Sequence, residues 1–142
     1  MKFKAKKDVW WWRLIGKLIP EQMQTMWTTI GETIYYPEYV NDPESIHFTN
    51  VIQHEEVHIK QYKKLSVPLF LFLYFFIPLP IGLSYFRWRF EREGYLVNIK
   101  QGLPISRVVD ILWSSYGWPW PRKWMKKWFE DQMSGWHQLE SK

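Results

Sequence analysis

Between residues 51 and 65 the chain changes character at steps of three and four. Val51, Glu55, His58, Tyr62 and Leu65 line one stripe, and Glu56, Lys60 and Lys63 occupy a charged opposite side. That period is helical, and Glu56 with Lys60 adds an i, i+4 ion pair of favourable orientation. Asp42-Pro43-Glu44 supplies an N-terminal signal for this helix, with a capping carboxylate followed by proline and acidic charge in the first turn. Upstream, Met26-Trp27-Thr28-Thr29-Ile30 and Thr33-Ile34-Tyr35-Tyr36 are β-branched and aromatic runs separated by Gly31-Glu32. A two-residue loop with glycine first predicts a hairpin with a II′ turn. The first twenty residues read as an amphipathic helix; Arg13 and Lys17 split their apolar run, which argues against a secretory signal.

Downstream, residues 67–86 carry no charge, and Pro68, Pro78, Pro80 and Gly82 interrupt them. The longest unbroken helical stretch, 69–77, rises only about 14 Å against a hydrocarbon core of about 30 Å. A buried connecting helix or a hydrophobic hairpin dipping into a membrane face fits better than a span. Residues 106–116 predict a short helix capped by Ser106 and stopped by Gly117 and Pro119. Residues 121–133 predict another, pairing Trp124 with Trp128 and Met125 with Phe129 at i, i+4 beside Lys123, Lys126 and Lys127, with Gly135 as its stop.

At 142 residues the chain is expected to be one domain, burying roughly two-thirds of its surface. The absence of cysteine excludes disulfides, thiolate metal sites and cysteine nucleophiles. A net charge of +5 suits an anionic membrane surface or nucleic acid, but no basic-aromatic nucleic-acid signature accompanies it. Eleven tryptophans raise the aromatic share to 20%, and they crowd the basic N-terminus and the last thirty residues. Such residues fill cores, and they also concentrate where water meets membrane.

The sharpest chemistry lies inside the first stripe, at His54-Glu55-Glu56-Val57-His58. On a helix, histidines four apart share a face and can direct two imidazoles at one cation, with Glu55 beside them. Catalytic zinc is held by three protein ligands and lowers the pKa of its water from about 15.7 toward roughly 7, so that a neighbouring glutamate can take the proton. Gln61 and Lys64 stand where the metzincin pattern needs glycine and histidine. A carboxylate from a second helix is the alternative, and residues 87–95 offer Glu91 and Glu93. These project about 200° apart, so at most one faces the metal. Glu91 shares its face with Trp88, Gly94, Tyr95 and Asn98, and a glycine one turn on permits close helix approach, which favours Glu91.

His54-Glu55-x-x-His58 with Gln61, followed by Glu91-x-Glu93-Gly94-Tyr95, resembles the gluzincin metallopeptidases over residues 27–100. The short chain is similar to minigluzincins and to small metallopeptidase-like proteins carrying an E-R-E-A-Y segment, Gly94 standing where alanine is commoner. The resemblance implies an α+β, minimal zincin-like domain, with a small antiparallel sheet or hairpin packed on the H-E-x-x-H helix and a downstream glutamate helix. Extra N- and C-terminal helices would flank it, the aromatic-rich segment spanning 104–142. It further implies Zn²⁺ held by His54, His58 and Glu91, with Glu55 as general base. Strand 33–36 would form the cleft edge that pairs with an extended substrate, a role that main-chain hydrogen bonding suits.

The expected activity is hydrolysis of peptides or unfolded protein segments, in the cytoplasm or against a membrane surface. Tyr95 or Tyr62 would assist the zinc in stabilising the oxyanion. His137 would meet the metal if the C-terminal tail covered the cleft. The competing expectation is a membrane-associated or assembly protein in which zinc is only a structural clip. The intact Glu55 argues against that, since a glutamate that is no ligand has no duty in a structural site.

Overall fold

Four residues at the start of the chain, Lys2–Ala5, form a strand (β1) rather than the first turns of a helix. A 3-10 turn at Lys6–Asp8 follows, and the amphipathic helix is confined to Trp10–Leu18 (α1). The computed structural model describes residues 1–18, 20–76, 85–115 and 121–140. The fold is α+β and builds two compact units, Met1–Val67 and Pro68–Lys142.

In the first unit, a short helix at Pro20–Gln24 (α2) leads to the hairpin, with β2 at Thr28–Ile30 and β3 at Thr33–Tyr36. Ile30 pairs with Thr33 across Gly31, whose φ of +62° suits the first position of a II′ turn. The sheet is mixed, because β1 pairs in parallel with β3 from Lys2 opposite Thr33 to Ala5 opposite Tyr36. Its order, β1-β3-β2, overturns the expectation that residues 33–36 form an exposed edge. Both sides of β3 are already hydrogen-bonded, so no peptide can add to it; the outer strands of the sheet are β1 and β2.

A cluster of Val9, Trp12 and Met23, with Trp11, Ile15, Ile30 and Tyr35 against it, fastens the N-terminal segment to the hairpin. Lys6 is fully buried there. Its Nζ donates to the Met26 carbonyl at 2.7 Å and to Thr28 Oγ1 at 3.0 Å, and lies 4.2 Å from the Trp12 ring centroid.

Helix α3, Thr49–Leu65, buries His54, Glu55, His58, Ile59, Gln61 and Tyr62 and exposes Lys60, Lys63 and Lys64. It starts later than Asp42 indicates. The Asp42 side chain accepts from the Glu44 amide at 3.1 Å, closing a local turn, and a 3-10 turn at Ile46–Phe48 intervenes before the helix.

The second unit is helical. Val67–Phe76 (α4) carries Pro68 in its first turn, where the missing N–H costs nothing. Tyr85–Lys100 (α5) ends in Gly102, at φ +103°, with the Leu103 amide reaching back to the Asn98 carbonyl. Helix α6 runs Ile105–Ser115, so Ser106 lies inside it and the Pro104 carbonyl receives its first bond, from Val108. Helix α7 runs Arg122–Glu140 straight through Gly135, which has no positive φ and therefore makes no stop. Trp88, Ile99, Val108, Val109, Leu112, Met125 and Phe129 form the core, with Trp88 edge-on to both Trp128 and Phe129. Among the described residues no helix is long and apolar enough to cross a membrane. Residues 77–84 of the segment expected as a hairpin, and the Gly117 and Pro119 stop signals, lie outside the described residues.

Candidate metal centre

One turn of α3 separates His54 from His58, and helix geometry stacks them on its buried face. Their rings lie 5.1 Å apart in an edge-on arrangement. A further turn along, Gln61 Oε1 stands 2.9 Å from His58 Nδ1. An amide oxygen can only accept, so Nδ1 carries the proton and Nε2 keeps its lone pair. That is how proteins fix a histidine's tautomer for metal binding.

Glu55 is also buried, and its neighbour comes from the sheet. Thr29 Oγ1 donates to Glu55 Oε2 at 2.7 Å, while the Tyr62 hydroxyl donates to the Thr29 carbonyl at 3.0 Å. In a two-residue hairpin closed at Ile30 and Thr33, the Thr29 N–H and C=O turn away from β3. Tyr62 therefore uses the carbonyl that the β2 edge would otherwise present. Its hydroxyl proton is committed to that bond and not to an oxyanion.

On α5, Glu91 is 4% exposed, whereas Glu93 is exposed on the opposite side, the division that the helical spacing predicts. The Tyr74 hydroxyl, on α4, donates to Glu91 Oε1 at 2.6 Å, the short distance of a charge-assisted bond. Tyr74 is itself held. Its ring stacks on Phe70, the Arg87 guanidinium lies 5.0 Å from its centroid, and Arg87 donates to its carbonyl. Phe70 in turn stacks on Phe90 at 4.3 Å.

His54, His58 and Glu91 each offer one ligand atom, and these atoms lie within 4.8 Å of one another. Ligand atoms around a tetrahedral ion at about 2.0–2.2 Å sit roughly 3.3–3.6 Å apart, a spacing inside that 4.8 Å limit. All three side chains are buried, and two of them are oriented by a second residue through an atom the metal does not need. The group can hold a metal ion. No protein-family model matches the chain, and neither a curated protein nor a solved structure matches it. Two imidazoles and a carboxylate suit zinc and also other divalent transition metals, so the donor set alone does not name the ion.

Tyr95 packs against the Trp88 and Phe129 core cluster of its own unit. The side chain of His137 lies outside the described residues. Three contributors escaped the sequence reading. Thr29 and Tyr74 act through partners 26 and 17 residues away, and no local pattern announces either. Lys6 looks like one more lysine of a basic N-terminus. Burial nevertheless lowers its pKa from 10.5 to about 8, against the opposing pull of the Glu55 charge.

Proposed function

We propose that the protein is a zinc-dependent peptidase of gluzincin type, with His54, His58 and Glu91 as ligands, and that residues 27–100 form its minimal zincin-like core. The observation that carries this reading is the buried His54, His58 and Glu91 group with a separately anchored glutamate, Glu55, next along the helix. A purely structural clip needs the first three and gives Glu55 and Thr29 no reason to be buried together.

Zinc bound there would polarise a substrate carbonyl and make water acidic near neutral pH. The rest falls to the chain. Glu55 takes a proton from the attacking water on its carboxylate, oxygen bonds to the peptide carbon, the C–N bond breaks, and Glu55 passes the proton to the departing amine. Thr29 holds Oε2, so the carboxylate presents its other oxygen in one orientation. Gln61 keeps His58 in the ligating tautomer, and Tyr74 restrains the Glu91 carboxylate. Tyr95 enters as a candidate phenol for the oxyanion. A Tyr95→Phe variant that loses kcat while holding KM and melting temperature would support that role.

Metal analysis of the purified protein and of Glu55→Ala tests the whole scheme. One zinc per chain is expected in both, with hydrolysis of an unfolded protein substrate only in the parent. Zinc without hydrolysis in either would favour the structural clip. A parent that folds normally and takes up no metal would overturn the site itself.

A further inference from the structure

The charge of this chain is not spread along it. Six of the nineteen basic residues and one of the fourteen acidic ones fall within residues 1–18, leaving thirteen of each in the remainder. The whole formal net charge of +5 therefore resides in the first eighteen residues. Lys6 is buried, but Lys2, Lys4, Lys7, Arg13 and Lys17 are exposed.

Helix α1 lies in that segment and has two apolar faces rather than one. Trp11, Trp12 and Ile15 turn inward to the cluster around Val9 and Met23. Trp10, Leu14 and Leu18, spaced i, i+4, i+8, form a second stripe that is 75%, 56% and 81% exposed. At 100° per residue these three cover about 80° of the helix circumference, and Arg13 and Lys17 border them on one side. Large apolar side chains exposed as a contiguous row signal a surface that meets something other than water.

We infer that this face of α1 is an interfacial anchor that docks the first unit on an anionic lipid bilayer. Charge complementarity selects the occupant. A tryptophan and two leucines enter the headgroup boundary, while Arg13, Lys17 and the exposed Lys2, Lys4 and Lys7 meet lipid phosphates. Nine helical residues rise only about 13.5 Å, so α1 lies in the interface and does not span it. The anchor is independent of the hydrolase reading and holds whether or not zinc is bound.

Co-sedimentation with vesicles tests it, using phosphatidylcholine alone and phosphatidylcholine with one-third phosphatidylserine. The parent is expected to bind the anionic vesicles at least about tenfold more tightly than the neutral ones, as several surface-facing basic residues imply, and to be released by salt. Leu14→Glu places a charge in the middle of the exposed stripe and is expected to reduce affinity by at least about tenfold with an unchanged melting temperature. Trp124→Ala serves as the control, because Trp124 is 65% exposed beside Lys123, Lys126 and Lys127 on α7. Binding that survives Leu14→Glu but is lost in Trp124→Ala would overturn the assignment. So would a parent that ignores anionic vesicles, or one that self-associates through a face that Leu14→Glu disrupts.

Discussion

Replacing Tyr74 by phenylalanine removes one oxygen atom and tests the metal centre without touching a ligand. The ring keeps its stack on Phe70, at 5.7 Å and 16° between planes, and its cation–π contact with Arg87. What disappears is the 2.6 Å bond to Glu91 Oε1. Loss of a group that orients a metal ligand typically costs 10–100-fold in metal affinity, or about 1.4–2.7 kcal/mol. In the metal-free protein the same change removes one hydrogen bond to a buried carboxylate, which costs about 1.5–3 kcal/mol of stability. Zinc affinity measured by competition with a chromophoric chelator should therefore fall by one to two orders of magnitude at unchanged stoichiometry. A Gln61→Leu variant acts on His58 through an unrelated residue and should weaken zinc to a similar degree. Affinities within twofold of the parent in both variants would refute the assignment of His58 and Glu91 as ligands.

Thr29→Val keeps the shape of β2 but frees Glu55 Oε2; hydrolysis should drop by about 10–100-fold in kcat, with KM and zinc content held, as steady-state assays and metal analysis would reveal. The lowered pKa of Lys6 makes stability depend on pH in a definite direction. Between about 8 and 10.5 the unfolded chain binds that proton and the folded chain has lost it, so stability rises with pH across this window, by at most about 3 kcal/mol. Denaturant titrations at pH 8 and pH 10 should show that rise in the parent and a smaller one in Lys6→Met. Phe129→Ala, at a fully buried core position, should cost about 3–5 kcal/mol in a thermal melt. Lys63→Ala breaks the 3.0 Å pair with Glu32, but both side chains are more than half exposed, so a thermal melt should be nearly unchanged.

How much of this was readable in advance depended on how local each determinant is. The shared face of the two histidines and the opposite faces of Glu91 and Glu93 follow from helical period, because a helix sets side-chain direction within a few residues; Gly94, one turn on, tipped the choice toward Glu91. The hairpin was equally legible, since Gly31 announces its own turn. Misreadings arose where a local signal had two uses. Asp42 has the chemistry of a helix cap and closes a turn instead, and Gly135 has the chemistry of a stop and continues a helix. The central place of β3 could not be foreseen, because its second partner is a four-residue strand some thirty residues earlier whose lysines read as solvent-facing. Tyr74 was hidden by its surroundings: a phenol in an otherwise apolar run reads as packing until Glu91 is seen beside it.

Thr29 is the residue on which these relations converge. Its hydroxyl serves Glu55 and its carbonyl serves Tyr62, so a single residue on a three-residue strand is occupied on two fronts. A chain laid along β2 would find the Thr29 N–H facing it and the carbonyl beside it already engaged. Pairing there is reduced to a single rung, with the protein donating and the visitor accepting. Recognition at that edge would then depend on what side chains the visitor carries, and backbone alone would give it little grip.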